Sequence, residues 1–231
     1  MIILGIETSG DPGSVAICAE ESPLAVLTFG EGARHARGIV PAIDEVIHRA
    51  EVARSEIGAV AVSQGPGSFT GLRVGAICAK TLAYAMAWKL VGVPSLEVLV
   101  QNLSQGGAAK HRFACPLRDA RRGRVYGTVF EWDGKSWRDT TGVLLEEPNE
   151  LAARIPDGAV VFGSGMRAYP AAFPASRFHA GDEGLEVGRA EAVARLGLAL
   201  IRTGKTVDPM RFVPLYYRLT EAEEKLPSGG R

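Results

Sequence analysis

Apolar and polar positions fall in blocks along this chain. Ile2 to Ile6 is an apolar run and reads as a buried strand. Glu7 to Gly13 is a polar turn, and Ser14 to Ala19 and Leu24 to Phe29 read as two further strands of an antiparallel meander. His35 to Ala53 has helical periodicity, with Pro41 near the first turn, where proline is tolerated. Ile39, Ile43, Val46, Ile47 and Ala50 share one face of it, and Asp44, His48 and Glu51 lie opposite. Ala59 to Val62 and Leu90 to Val93 read as buried strands, the second followed by a helix from Leu96 to about Leu103. This order describes an α/β unit with a mixed sheet.

Between the strand at Ala59 and the next helix lies Gln64-Gly65-Pro66-Gly67-Ser68-Phe69-Thr70-Gly71-Leu72-Arg73. Pro66 fixes φ, the glycines allow a tight turn, and Ser68 and Thr70 are both N-cap candidates. The N–H groups of such a helix start suit an anion, and they suit equally a capped turn with no ligand. A Walker A loop is excluded, because no Gly-Lys-Ser/Thr follows the required spacer. From Gly71 to Met86 the polar residues are few, and Arg73, Lys80 and Tyr84 fall on one stripe. Most of the remaining circumference is apolar, more than one sheet face requires. Gly71, Gly75, Ala79 and Ala83 form a ridge of small residues at i, i+4 spacing. The helix is therefore expected to be covered on two sides, either within its own domain or by another subunit.

A small, polar stretch, Gln105 to Lys110, is the candidate boundary, dividing the chain into lobes at 1–104 and 105–219 with a fraying tail at 220–231. Beyond it, Phe113 to Leu117 and Arg124 to Trp132 read as strands. Arg118, Arg121, Arg122 and Arg124 crowd the segment between them, which is either a solvated turn or a contact for phosphate or an acidic partner. Pro148 to Ile155 and Arg189 to Thr203 read as helices, Val160 to Phe162 as a strand entering the tight turn Gly163-Ser164-Gly165, and Phe212 to Arg218 as an ordered extended segment.

Composition narrows the function classes. The 231 residues are 46% hydrophobic and 23% charged with formal net charge zero, which argues against a chain that grips nucleic acid unaided. Cys18, Cys78 and Cys115 have no Cys-x-x-Cys spacing, so neither a disulfide framework nor a zinc site is expected. The apolar N-terminus lacks a basic leader, and a reduced cytoplasmic setting fits. His35, His48, His111 and His179 show no ligand spacing, and no nucleophile elbow or Gly-x-Gly-x-x-Gly loop is present.

Several of these blocks resemble the TsaB (YeaZ) family. Gly65-Pro66-Gly67-Ser68-Phe69-Thr70-Gly71-Leu72-Arg73 with Gly75 and Ala79-Lys80-Thr81-Leu82-Ala83 is similar to the family's central motif. Ile3 to Ser9, His35 with Pro41, Asp119-Ala120-Arg121-Arg122 with Val125-Tyr126, and Pro214, Tyr216 and Arg218 extend the likeness over nearly the whole chain. The resemblance implies an actin/Hsp70/sugar-kinase-like (ASKHA) α/β fold of two lobes, the second reduced. It implies a cytoplasmic, non-catalytic subunit of the bacterial machinery that makes threonylcarbamoyladenosine beside the anticodon of tRNA. In that family the chemistry belongs to a longer paralogue, TsaD, which holds a metal through a His-x-x-x-His motif and an aspartate. That motif is absent here, so no metal site and no catalytic residue is carried over. The implied partners are a TsaD-like transferase, a TsaE-like ATPase and a second copy of the chain through the same helices, with tRNA met only inside the complex.

The partner-binding set on those helices is Ile39, Ile43, Ile47, Phe69, Leu72, Gly75, Ala79, Leu82 and Met86, and Gly75→Leu is expected to weaken assembly while leaving the chain folded. The polar turns, with Glu7, Thr8, Ser9, Gly67 and Ser68, resemble those of ATP-binding relatives, but the second lobe lacks an adenosine motif. No cofactor is assigned, and ATP or ADP at a subunit interface is the nucleotide position left open. Arg124 stands where the family usually has glutamate, and Glu7 where aspartate is common. The alternative is a stand-alone ATP-dependent phosphotransferase or peptidase-like enzyme.

Overall fold

The structure, a computed structural model, describes residues 1–30, 35–105 and 110–217. Residues 106–109 of the expected boundary, Arg218 and the expected tail at 220–231 lie outside them.

The first half builds a five-stranded mixed sheet. Its strands are β1 (Ile2–Glu7), β2 (Gly13–Ala19), β3 (Ser22–Phe29), β4 (Ile57–Gly65) and β5 (Lys89–Pro94), in spatial order β3-β2-β1-β4-β5. β1, β2 and β3 pair antiparallel as the expected meander, and β1, β4 and β5 pair parallel. The intervening helices are α1 (His35–Arg49), α2 (Phe69–Met86) and α3 (Ser95–Val100). α1 stops at Arg49 rather than at Ala53, because Glu51 adopts positive φ and turns the chain away.

Both faces of this sheet are covered, which is why β1 and β4 read as unbroken apolar runs. Leu4, Ile6, Val60 and Val62 point to α1 and α2, where they meet Ile39, Ile43, Val46 and Ile47. Ile3, Ala59 and Ala61 point the other way and pack under α6 (Ala190–Arg202) through Val193, Ala194 and Leu198. The lobe division expected at 104/105 is thus corrected: the helix at 190–202 belongs to the first sheet although 105–219 was assigned to the second lobe. Phe212 continues the return and is buried in the same core as α1 and α2.

The second sheet has seven strands, most of them short. β6 (Phe113–Arg121), β7 (Arg124–Gly127), β8 (Phe130–Trp132), β9 (Trp137–Asp139), β10 (Leu144–Glu146), β11 (Val160–Phe162) and β12 (His179–Ala180) form it, with α4 (Pro148–Arg154) and α5 (Ser164–Ala168) attached. β6 runs on to Arg121, four residues past expectation, and its two ends pair different strands, β8 and β7. The run expected as one strand from Arg124 to Trp132 is therefore two.

The small-residue ridge of α2 has a local explanation. Gly71, Gly75, Ala79 and Ala83 are all buried, and the ridge seats the helix on the end of β1. A Cβ at Gly71 would collide with the carbonyl of Thr8, and one at Gly75 with the Thr8 hydroxyl. This corrects the expectation for Gly75→Leu. The substitution is expected to destabilise the isolated chain by about 2 kcal/mol, as overpacking against buried side chains, here Thr8 and Val62, does. A urea unfolding curve checks this, and an unshifted midpoint would show that the ridge tolerates side chains.

Candidate functional site

The two polar turns of the first sheet are stitched together by backbone. Ser68 donates its N–H to the carbonyl of Ser9 at 2.8 Å. Gly67 lies so close to Ser9 that no side chain fits there. Buried serines anchor both turns from beneath: Thr8 N–H donates to Ser63 Oγ at 3.2 Å, and Gly65 N–H to Ser95 Oγ at 3.0 Å. Ser68 is the N-cap of α2, its hydroxyl accepting from Gly71 N–H at 3.2 Å.

Facing these turns is the β6–β7 hairpin. Arg121 and Arg122 at its tip both adopt positive φ. Asp119 N–H donates to Ser164 Oγ at the start of α5, at 3.1 Å. Arg118 reaches across to the first lobe and donates to Ser9 Oγ at 2.9 Å. Ser9 in turn donates its N–H and its hydroxyl to Glu7 Oε1, at 2.6 and 2.5 Å. The chain Arg118–Ser9–Glu7 is thus a polar bridge between lobes. Burial pulls the Arg118 pKa down, while Glu7, Glu186 and Asp11 push it up. A guanidinium so placed stays charged.

Between the turns and the hairpin is a cleft of about 1460 Å³. Five arginines line it, Arg73, Arg118, Arg121, Arg122 and Arg167, against three carboxylates, Asp11, Asp119 and Glu186. Asp119 pairs with Arg121 at 3.2 Å and Glu186 with Arg167 at 2.6 Å. The lining is therefore net positive and suits an anion. At one edge of the cleft Arg73 sits 3.9 Å from the Phe69 ring centroid and donates to the Tyr216 hydroxyl at 3.1 Å, with Phe69 and Tyr216 in ring contact. The extended segment after Phe212 is held there by Leu215 N–H on the carbonyl of Gln64 at 2.8 Å.

Glu7 and Thr8, weighed as cofactor contacts, are closed off: they are 1% and 0% exposed and do not line the cleft. Ser9, Gly67 and Ser68 do line it, with the Ser9 and Ser68 hydroxyls committed to the bonds above. Of the basic segment, Arg118, Arg121 and Arg122 reach the cleft, and Arg124 is exposed outside it. Among the described residues no group of three His, Cys, Asp or Glu could hold a metal.

The nine residues weighed as partner contacts separate into two sets. Ile39, Ile43, Ile47, Leu72, Gly75 and Ala79 are buried in the chain's own core. Phe69 and Met86 are exposed and Leu82 is half-buried. Val40, Ile77 and Tyr84, not in that set, are 64%, 65% and 73% exposed. Sequence reasoning also missed Arg167, Glu186 and Ser63, and read Ser95 only as the cap of the helix after β5, where it accepts from Gly65 N–H.

Comparison with known proteins now bears on this site. A family model described as TsaD, tRNA N6-adenosine threonylcarbamoyltransferase, matches residues 31–197, more than half of the chain. The tRNA threonylcarbamoyladenosine biosynthesis protein TsaB of Escherichia coli (strain K12) is 29% identical over 98% of this chain and 99% of its own length. TsaB of Buchnera aphidicola subsp. Schizaphis graminum is 32% identical over 67% of this chain and 69% of its own. The chain belongs to the TsaB (YeaZ) family of tRNA threonylcarbamoyladenosine biosynthesis proteins. The solved structure of YeaZ from Pseudomonas aeruginosa superposes with a TM-score of 0.82 over 93% of this chain and 99% of that one, at 23% identity, and shows the same fold. The chain has the mixed α/β architecture of two sheets that it shares with that structure.

The bridge makes a prediction. Ser9→Ala removes a donor from Glu7 and an acceptor from Arg118, and is expected to cost about 1–3 kcal/mol of stability. An unchanged urea midpoint would show that the lobes are held by other contacts.

Proposed function

We propose that this chain is a non-catalytic subunit of the machinery that places threonylcarbamoyl on tRNA adenosine, acting by binding a TsaD-like transferase through the outer face of α1 and α2. The observation that carries the reading is the exposure of large apolar side chains on those helices. Val40, Ile77 and Tyr84 are largely uncovered, and Phe69 and Met86, at the two ends of α2, are exposed as well. Helices that already bury a full face in their own core have no structural need of a second apolar set. Exposed apolar groups gathered on one element mark an interaction surface.

The family's place in tRNA modification supplies the partner. The same face is the candidate surface for a second copy of the chain, and a TsaE-like ATPase completes the assembly in the cytoplasm. Among the described residues no helix is long and apolar enough to cross a membrane. In this reading tRNA is met inside the complex. The arginine-lined cleft supports an anionic ligand, and ATP or ADP at the subunit interface is the nucleotide that would use it.

Two experiments test the reading. In a reconstitution with unmodified tRNA, threonine, bicarbonate and ATP, omitting this chain is expected to abolish threonylcarbamoyladenosine, read by mass spectrometry of digested tRNA. The chain alone is expected to form none and to hydrolyse no ATP. Product formed equally well without it would remove the role. The pair Ile77→Glu with Tyr84→Glu is expected to weaken binding to the transferase by about a hundredfold, the scale of losing anchor residues. Both side chains point to solvent, so the melting temperature of the isolated chain stays within about 2 °C. An unchanged binding isotherm would place the interface elsewhere.

A further inference from the structure

After α6 the chain returns along one flank of α2 and is pinned there. Val207 N–H donates to the carbonyl of Leu90 in β5 at 2.9 Å. Lys80 Nζ of α2 donates to the carbonyl of Met210 at 3.5 Å, and Gln64 Nε2 at the end of β4 to that of Val213 at 3.2 Å. Phe212 lies between them, buried in the core with α1 and α2, and the Tyr216 hydroxyl accepts from Arg73 of α2.

Phe212 turns inward, and the apolar side chains near it stay outside. Met210 is 71% exposed and Val213 60%. Most of the exposed large apolar side chains among the described residues belong either to this segment or to α2. On α2, Phe69, Ile77 and Tyr84 share one stripe with Arg73 and Lys80, within about 80° around the helix axis. The segment touches that same stripe, through Lys80 and Arg73. The two exposed sets therefore adjoin. A single exposed apolar residue is ordinary, whereas a contiguous set on two elements marks an interaction surface. Charge gives the surface a direction. α2 contains no acidic residue, and Arg73 and Lys80 meet no carboxylate among the described residues. The segment's own Asp208 and Arg211 lie 3.9 Å apart and offset each other.

We propose that Met210 and Val213 form the second half of the docking surface on α2, and that its occupant is a protein face that is apolar and carries carboxylates toward Arg73 and Lys80. The proposal rests on the reading that α2 binds the transferase, and it names the transferase as that protein. A second copy of the chain, meeting this surface with the same surface, would set cations against cations, so charge complementarity favours the transferase. The segment is also preorganised. Its hydrogen bonds to β4, β5 and α2 fix the backbone in the free chain, so docking costs it little conformational freedom. Met210 adds an unbranched side chain that adapts to the surface it meets.

The transferase is titrated by calorimetry against the full-length chain and two double variants of it. Met210→Glu with Val213→Glu is expected to weaken binding about a hundredfold, because it sets carboxylates against an apolar and acidic face. Met210→Lys with Val213→Lys brings the opposite charge and is expected to weaken it only about tenfold. Both side chains stand in solvent, so the melting temperature of either variant is expected to stay within about 2 °C. An isotherm unchanged by the glutamate pair, where Ile77→Glu with Tyr84→Glu does weaken binding, overturns the proposal and leaves α2 as the transferase-binding element. If neither pair changes the isotherm, the reading beneath the proposal fails with it. Equal losses for the glutamate and lysine pairs overturn the proposed partner chemistry. Sedimentation of the chain alone tests the other occupant. Self-association that the glutamate pair abolishes, with transferase binding unchanged, assigns the surface to a second copy and overturns the proposal.

Discussion

Ser9 carries the polar contacts that join the two lobes at the cleft, beside the apolar core that α3 forms with the second sheet. Its carbonyl takes the N–H of Ser68, which joins the turn after β1 to the turn before α2. Its hydroxyl accepts from Arg118 of the other lobe and donates to Glu7 at the end of β1. One small residue therefore touches both polar turns and the opposing hairpin, by its carbonyl and its hydroxyl. A larger residue would separate the turns, and an apolar one would leave the buried Glu7 carboxylate and the half-buried Arg118 guanidinium short of a partner.

The packing around this point follows from it. The turns meet because Gly67 has no Cβ to hold them apart, and α2 reaches the end of β1 because Gly71 and Gly75 have none either. The ridge of small residues is thus accounted for inside the chain, and the outward side of α2 is a separate matter. There Ile77 and Tyr84 stand in solvent two turns apart, next to polar Arg73 and Thr81. The helix has an inner face set by backbone approach and an outer face left for other molecules. On the far side of the sheet, α6 brings a late part of the chain back to strands formed early. The cleft therefore lies between lobes that the chain crosses more than once, with the extended segment after Phe212 closing one edge through Leu215 and Tyr216.

Much of the first sheet was legible in the sequence. β1, β2, β4 and β5 are short apolar runs, and apolar runs bounded by Gly, Pro and Ser have few other ways to fold. The cap of α2 was legible as well, since Ser68 stands one residue before the helix. The apolar circumference of α2 was legible as an excess, but its assignment was not. Periodicity gives the angle at which a side chain leaves a helix and says nothing of what stands there. Hence Ile39, Ile43 and Ile47 were weighed as partner contacts and prove to be core, while Val40 and Ile77, which interrupt the expected pattern, prove to be surface. The extension of β6 to Arg121 was hidden because charged residues inside a strand resemble a loop until the hairpin that pairs them is known.

By itself the sequence determined the element order, the mixed first sheet, the capped turn before α2 and, through its blocks of motif residues, the family. These are local or nearly local properties: propensity, periodicity and turn chemistry act between residues close in the chain. Only the tertiary structure decided that Arg118 meets Ser9 and that residues 190–202 cover the first sheet. Those are encounters between residues far apart along the chain. They depend on how two sheets are set against each other, and no spacing within a single segment encodes that.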